Sequence, residues 1–511
     1  MYKYLIIIPL ISILNVLCCK EGDPENPPNI VLFLVDDLGW QDTSVPFWDK
    51  PTDLNKKYHT PNMERLAAQG VKFTDAYATP VCSPSRVSLM TGMNAARHRV
   101  TNWTLQQNEM KSRELNHEDL IFPEWNTNGL STDENIPNAV HATPLPQVLK
   151  DHGYFTIHAG KAHLGAIGLP SENPLNLGFD INIAGHAAGA PGSYHGTDNF
   201  GNLPGREDRP WNVPGLEKYH GQDIFLTEAL TREALQAVEK SITSSTPFFL
   251  YMSLYAVHTP IMADKRFVQK YYDIGLDSIE ARYASMVESM DKSLGDIMDA
   301  LEKNGLSDNT IILFMSDNGG LSAHARGGEK HLHNSPLKSG KGSIYEGGIR
   351  EPMIVKWPGV AREGTIINRP LIIEDFYPTI LEMAQIDNYE KVQVVDGESF
   401  TGFFEEKALA EVERSLVWHY PNQWGGNGPG IGAYSAIRKG DWKLIFSMEN
   451  EKIELYNLKD DIGEQVDLSQ VNSKKTEELS KDLSEYLRSV DAQMPSYRIS
   501  GNPVALADGS Q

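Results

Sequence analysis

Apolar runs of strand length alternate with amphipathic segments along most of this chain. A run with almost no polar position predicts a strand that is covered on both faces. Such runs fall at residues 29–35, 72–78, 154–159, 247–255, 310–316 and 352–357. Helical periodicity falls between them, at residues 60–70, 144–152, 223–241, 278–304 and 373–385. This alternation predicts an α/β domain with a mostly parallel sheet sandwiched by helices.

The pattern changes near residue 409. Four short apolar segments separated by close turns predict an antiparallel meander, and helical periodicity follows at residues 474–490. The four segments are residues 415–420, 432–438, 442–446 and 453–457. We therefore expect a main domain over residues 29–408 and a smaller α+β subdomain over residues 409–511. Residues 173–221 are rich in Gly, Pro, Asn and His, which favours a functional loop at the rim of a site.

The first residues have the pattern of an export signal. A charged start precedes an apolar run that is too short for a comfortable transmembrane helix, which predicts a signal peptide over residues 1–19 and a polar linker over residues 20–28. The end of the run, Val16-Leu17-Cys18-Cys19, resembles a bacterial lipobox. We expect a lipoprotein of the periplasm or cell surface whose membrane contact is a lipid on Cys18 or Cys19; the alternative is an ordinary signal peptide.

The composition restricts the class of partner. The chain has 511 residues and a formal net charge of -22. This charge argues against a nucleic-acid partner, because phosphate backbones are bound by basic surfaces. A small anionic substrate is still compatible with this net charge, because cations and a metal ion grouped in a pocket can make the local potential positive.

Two polar pairs follow predicted strands. Asp36 and Asp37 end the first strand, and Asp317 and Asn318 end the strand at residues 310–316. Ligands of open parallel sheets bind beyond the carboxyl ends of the strands, and oxygen ligands of this kind suit Ca²⁺ or Mg²⁺. The alternative is that both pairs are ordinary turns, because Asp, Asn and Gly are common turn formers.

Cys82 is the single cysteine beyond the leader. It lies in the run Cys82-Ser83-Pro84-Ser85-Arg86, where a turn enters a helix and Arg86 supplies a permanent cation. A free cysteine is commonly a small buried core residue. In this polar setting it is also a candidate nucleophile.

The run C-S-P-S-R, followed by Met90-Thr91-Gly92, resembles the signature of type I sulfatases. In that family the cysteine is oxidised to formylglycine (3-oxoalanine). The resemblance extends from residue 29 to about residue 468 and includes G-K-A-H-L-G at residues 160–165. It implies an alkaline-phosphatase-like fold and a sulfuric ester hydrolase. It also implies one Ca²⁺ ion bound by a set of five residues: Asp36, Asp37, Asp317, Asn318 and the modified Cys82.

The resemblance also implies roles for individual side chains. Arg86, Lys161 and Lys341 supply positive charge around the sulfate. His163 acts as the base at the formylglycine hydroxyl, and His258 acts as the acid at the leaving oxygen. Lys341, in G-K-G before Y-E-G-G-I-R-E-P, matches the catalytic lysine better than Lys338 does. The implied partners are a sulfated saccharide and an enzyme that converts Cys82 to formylglycine.

The expected substrate is a carbohydrate sulfate, such as an algal galactan or ulvan, a glycosaminoglycan or a mucin. The segment at residues 97–103 looks like bacterial sulfatases that act on galactose-type sugars. Two alternatives stay open: a phosphodiesterase or phosphonate monoester hydrolase of the same superfamily, and a non-catalytic carbohydrate-binding lipoprotein. Several other side chains are candidates for binding a sugar, and the alternative is that they lie in a solvated loop or pack in the interior. They are Arg97, His98, Trp103, His324, His331, His333, His419 and Trp424.

Overall fold

The computed structural model describes residues 27–110, 117–206, 208–405 and 414–510. The predicted signal peptide, most of the predicted linker and the predicted domain boundary at residues 408 and 409 lie outside these ranges. Within them, no helix combines the length and the apolar character needed to cross a lipid bilayer.

A nine-stranded sheet forms the centre of the main domain. Its strands are β1 (Asn29–Val35), β2 (Val71–Tyr77), β3 (Phe155–Gly160), β4 (Ile181–Ile183), β5 (Phe248–Ser253), β6 (Thr310–Ser316), β7 (Arg350–Lys356), β8 (Thr365–Ile367) and β9 (Leu371–Ile372). Their order is β8-β2-β7-β6-β1-β5-β3-β4, and β9 extends the pairing along β2. The central strand β1 is parallel to both of its neighbours, β5 and β6. The predicted mostly parallel sheet is confirmed.

One strand runs against the others. β7 pairs antiparallel with both β2 and β6. The connection from β6 to β7 carries only a one-turn helix, Glu346–Ile349, within the described residues. Because this connection does not cross the sheet, the chain enters β7 from the edge at which β6 ended. The loop before β7 therefore stays at the carboxyl edge of the parallel strands.

Helices cover both faces of the sheet. The longer ones are α1 (Pro61–Gln69), α2 (Cys82–Thr91), α3 (Leu145–Asp151), α4 (Leu226–Ser244), α5 (Ser278–Lys303), α6 (Phe376–Met383) and α7 (Ser473–Ser489). Alternate residues of β1 pack into two separate hydrophobic cores, one on each face of the sheet. Ile30 and Leu32 pack with α2, α3 and α6. Val31 and Phe33 pack with α1, α4 and α5. A strand that is buried on both faces needs apolar residues at every position.

The C-terminal part contains a separate antiparallel sheet covered by α7. Its four strands are Ser415–Tyr420, Tyr434–Lys439, Trp442–Ser447 and Ile453–Asn457, close to the predicted bounds. Trp418 is buried against the main domain and donates a hydrogen bond from Nε1 to the carbonyl of Ala78 at 2.9 Å. The small sheet therefore packs directly on the strand that leads to Cys82.

Buried ion pairs also join this sheet to the main domain. The Lys443 ammonium lies 2.8 Å from carboxylate oxygens of both Glu346 and Glu464. All three side chains have no exposed surface, and Glu346 also pairs with Arg350 at 2.6 Å. Removal of one partner from such a group leaves a buried charge uncompensated, which is costly.

We expect Lys443→Ala to lower the free energy of unfolding by about 3–5 kcal/mol, because two buried carboxylates then lose their shared cation. The matched control is Lys452→Ala, which removes a solvent-exposed lysine paired with Glu454 and should cost no more than about 1 kcal/mol. Equilibrium urea unfolding measures both. Equal losses in the two variants would contradict a stabilising role for the buried cluster.

Candidate active site

Three carboxylates and one amide meet at the carboxyl edge of the central strands. β1 and β6 are paired in parallel with Val35 opposite Ser316, so the residues that follow each strand become neighbours. Asp36, Asp37 and Asp317 each offer an oxygen atom, and these atoms lie within 4.8 Å of one another. All three residues are buried. The structure thus assembles the acidic cluster that the sequence predicted.

The oxygen atoms of this cluster fit a divalent cation. Asp36 Oδ1, Asp37 Oδ2 and Asn318 Oδ1 are buried and have no hydrogen-bond partner among the described residues. Buried polar atoms are normally satisfied, and these are carboxylate and amide oxygens, the ligand type that Ca²⁺ and Mg²⁺ prefer. The donor set therefore matches the expected metal.

Each carboxylate is also paired with a cation from another segment. Lys161 Nζ lies 2.7 Å from Asp36 Oδ2, and Lys341 Nζ lies 2.5 Å from Asp37 Oδ1. Arg86 contacts Asp317 Oδ2 through Nε at 2.9 Å and through Nη2 at 2.7 Å. One buried cation thus faces each buried anion, which offsets the cost of burying the charges.

Burial and charge set the pKa values in opposite directions. Burial raises the pKa of Asp36 to about 8, although Lys161 pulls it down. Burial also acts to raise the pKa of Asp37, but Lys341, His258 and Lys161 together hold it below its usual range. The two neighbouring carboxyl groups are thus shifted in opposite directions, and a divalent cation would favour the ionised form of both.

Cys82 is the first residue of α2, which begins directly after the turn that follows β2. The side chain is only 4% exposed. Arg86 lies one helical turn further along α2 and also donates from Nη1 to the carbonyl of Lys161 at 3.0 Å. Burial raises the pKa of the Cys82 thiol, and the nearby Lys161 and Lys341 offset this only in part. The unmodified side chain is therefore a neutral thiol at neutral pH.

The two predicted histidines lie beside Cys82 and the acidic cluster. His163 donates from Nε2 to the Thr104 carbonyl at 2.8 Å, which leaves Nδ1 as an acceptor without a hydrogen bond among the described residues. His258 Nε2 lies 3.7 Å from Asp37 Oδ2, and its Nδ1 donates to the Thr259 carbonyl at 2.8 Å. Burial lowers the pKa of both imidazoles, to about 3 for His258, where Lys341 adds to the effect.

These groups open into a cavity of about 700 Å³. Four predicted site residues line it, namely Cys82, His163, His258 and Lys341. Arg86 and Lys161 are completely buried, so they act on the carboxylates behind the cavity wall. The loop at residues 173–221 contributes Gly189, Ala190 and Trp211 to the lining, in agreement with its predicted place at the rim of the site.

The remaining candidates fall into two groups. Trp103, His324 and Trp424 line the cavity. The others lie outside this lining. Four of them bind neighbouring groups by hydrogen bonds or ion pairs: Arg97 with Asp396, His98 with Ser88, His333 with the Gly327 carbonyl and His419 with Ser435. The His331 ring packs on the backbone of Gly428, where an added Cβ would come within 2.1 Å of its Cε1. Lys338 lies over the Tyr345 ring at 3.7 Å, away from the carboxylates. Trp211 and Glu109 line the cavity as well, and no motif singled them out.

Known proteins match this chain along most of its length. A family model described as sulfatase matches residues 28–386, and a model described as N-sulphoglucosamine sulphohydrolase, C-terminal, matches residues 339–493. A sulfatase of Formosa agariphila is 30% identical over 527 residues, with 94% of this chain and 91% of that protein covered. The N-acetylgalactosamine-6-sulfatase of Rattus norvegicus is 34% identical over 404 residues, with 77% and 68% covered.

The structural comparison agrees. The crystal structure of Ps i-CgsB in complex with k-i-k-neocarrahexaose is 28% identical to this chain, with a TM-score of 0.69 and coverage of 90% of this chain and 93% of that one. The predicted alkaline-phosphatase-like α/β fold with a small antiparallel C-terminal sheet is confirmed. By the extent of the family match and the identity to its relatives, this chain belongs to the type I sulfatase family and is a sulfuric ester hydrolase.

Proposed function

We propose that this enzyme removes sulfate from a carbohydrate and that its nucleophile is made from Cys82 by oxidation to formylglycine. The observation that carries the proposal is the cavity in which Cys82 meets a buried carboxylate cluster, two neutral imidazoles and Lys341. The thiol itself is poorly suited to attack, because burial raises its pKa and the thiolate is the reactive form.

The modification would supply what a thiol lacks. A hydrated aldehyde offers one hydroxyl to attack sulfur and a second hydroxyl whose deprotonation expels sulfate. His163 is the candidate base for that proton, since its Nδ1 keeps a free lone pair in a neutral ring. A separate enzyme that oxidises Cys82 is therefore a required partner.

A calcium ion at the acidic cluster would polarise sulfate oxygens and favour an ionised nucleophile. Asp36, Asp37, Asp317 and Asn318 would hold it, together with the modified residue 82. Lys161 and Arg86 keep two of these carboxylates in place, which makes them positioning residues. Lys341 reaches the cavity itself and adds positive charge where the sulfate binds.

His258 is the candidate acid for the leaving oxygen. It lines the cavity beside Lys341, and its pKa is low before substrate binds. A sulfate ester brings a negative charge next to the ring, and a nearby anion raises the pKa of an imidazole. The proton then passes to the sugar oxygen as the bond from sulfur to that oxygen breaks.

The relatives and the cavity support one class of substrate. One relative is named an N-acetylgalactosamine-6-sulfatase, and the matched crystal structure holds a neocarrahexaose. Both names point to galactose-type sugars, as does the segment at residues 97–103. We take the substrate to be a sulfated galactan or another galactose-containing saccharide. Its sulfate ester would be hydrolysed by the domain at residues 29–408 together with the subdomain at residues 409–511. The leader would place the enzyme in the periplasm or at the cell surface as a lipoprotein.

The nucleophile is tested by ion-chromatographic detection of sulfate and phosphate. Enzyme produced with a formylglycine-generating enzyme should release sulfate from carrageenan oligosaccharides, and Cys82→Ala should release it at least about a thousandfold more slowly. Mass spectrometry of the Cys82 peptide confirms conversion in the unsubstituted protein. Full activity of Cys82→Ala would contradict the proposal, and release of phosphate without sulfate would favour a phosphohydrolase.

The metal is tested by thermal unfolding with and without calcium. A ligand that binds only the folded state adds about 2.7 kcal/mol of stability at a concentration 100 times its dissociation constant, so calcium should raise the midpoint of the unsubstituted protein. Asp37→Asn should abolish most of this shift, because it removes a buried anionic ligand. Asp53→Asn, at an exposed carboxylate paired with Lys56, is the control and should keep the shift. A shift that is the same in both variants would place calcium elsewhere.

A further inference from the structure

Three half-buried indole rings line the cavity that contains Cys82: Trp103, Trp211 and Trp424. Indole rings are large and apolar and are usually buried in a protein core. Rings that instead line an open cavity indicate a surface that binds a ligand. Their flat apolar faces suit the carbon-bound hydrogens of a sugar ring. The charged and polar residues of the lining, such as His163, His258 and Lys341, suit the sulfate.

Trp424 lies directly against the catalytic segment. Its ring packs on the backbone of Gly342, where an added Cβ would come within 2.3 Å of Cε3. The centre of the ring is 5.8 Å from Lys341 Nζ, and the His324 ring lies 5.2 Å away at an interplanar angle of 35°. A sugar stacked on Trp424 would therefore hold its sulfate close to Lys341.

Trp103 is fixed with respect to both Cys82 and Trp424. The next residue, Thr104, accepts a hydrogen bond from His163 Nε2 at its carbonyl at 2.8 Å and donates one from its amide to Ser83 Oγ at 3.1 Å.

The segments that carry the two rings are also bonded to each other. Asn102 donates from Nδ2 to the Gln423 carbonyl at 3.3 Å, and Asn422 donates to Thr101 Oγ1 at 2.6 Å. Rings held in this way lose little freedom when a ligand binds, which favours affinity.

The charge along the cavity indicates which sugars fit. Lys341 lies at the sulfate end, whereas the exposed carboxylate of Glu109 also lines the cavity. A uronate near Glu109 would meet a like charge, and a neutral hexose would not. Galactose has an axial 4-hydroxyl that leaves one face of the ring rich in carbon-bound hydrogens, which matches an indole face.

We propose that Trp424 and Trp103 form a binding subsite for a neutral galactose-configured ring of the saccharide whose sulfate faces Lys341. This assignment rests on the proposed function and names the residues that choose its substrate. Trp424 supplies the stacking face next to the reacting group, and Trp103 holds the opposite segment of the wall. Neither residue takes part in the transfer of the sulfuryl group.

The test measures binding in Cys82→Ala protein, which does not turn substrate over. Isothermal titration compares k-i-k-neocarrahexaose with inorganic sulfate as ligands. In this background, Trp424→Ala should weaken hexasaccharide binding about tenfold or more, which is the loss expected when about 1.4 kcal/mol of stacking is removed. The affinity for inorganic sulfate should change by less than about twofold. Trp424→Phe should restore most of the affinity, and Trp48→Ala, a half-buried tryptophan outside the cavity lining, should change neither ligand.

Three results would overturn the subsite. Unchanged hexasaccharide binding in Trp424→Ala would show that the ring contributes nothing. Equal loss of hexasaccharide and sulfate binding would show that Trp424 acts only through Lys341. If Cys82→Ala protein that keeps Trp424 binds the hexasaccharide no more tightly than inorganic sulfate, the assignment of a galactose ring to this subsite is wrong. Sulfate release by the unsubstituted enzyme from a saccharide panel is measured separately, so a failed subsite and a failed sulfatase proposal are distinguished.

Discussion

Three buried carboxylates at the edge of one sheet are the constraint on which the rest of the structure depends. Parallel pairing of β1 with β6 forces Asp36, Asp37 and Asp317 together, and such a cluster is unfavourable unless cations compensate it. Lys161, Lys341 and Arg86 do so from three other segments of the chain. The need to neutralise the cluster therefore makes the loops after several strands converge on one point.

The same constraint explains the architecture around the cluster. The chain stays at the carboxyl edge between β6 and β7 so that Lys341 reaches Asp37, and this requires β7 to run antiparallel. That long segment is then held from behind by the C-terminal sheet, through Lys443 and Glu346. The small antiparallel sheet thus supports the edge that carries the carboxylates, and its loop with Trp424 forms part of the cavity wall.

Strands and site residues can be predicted from the sequence where the signal lies within a short segment of the chain. Burial on both faces leaves the long apolar runs that predict the strands, and Asp36 and Asp317 directly follow such runs. Cys82 is distinguished by its motif, because it is the single cysteine beyond the leader and lies in the run C-S-P-S-R. The contact between the Trp103 and Trp424 segments joins residues more than three hundred positions apart, and the orientation of β7 depends on its pairing with the distant strand β2. No local pattern encodes either feature. His98 and Trp103 looked alike as candidates, yet one hydrogen-bonds to Ser88 in the interior and the other lines the cavity.

The central claim is that residue 82 is an oxidised cysteine acting beside a calcium ion. A crystal structure of the enzyme, produced with its modifying partner and grown in calcium, tests this most directly. We expect a hydrated aldehyde at residue 82 and a cation bound by Asp36 Oδ1, Asp37 Oδ2 and Asn318 Oδ1, three oxygens of the site that have no hydrogen bond among the described residues. An intact thiol and a site filled by water, in a preparation that releases sulfate at full rate, would contradict it.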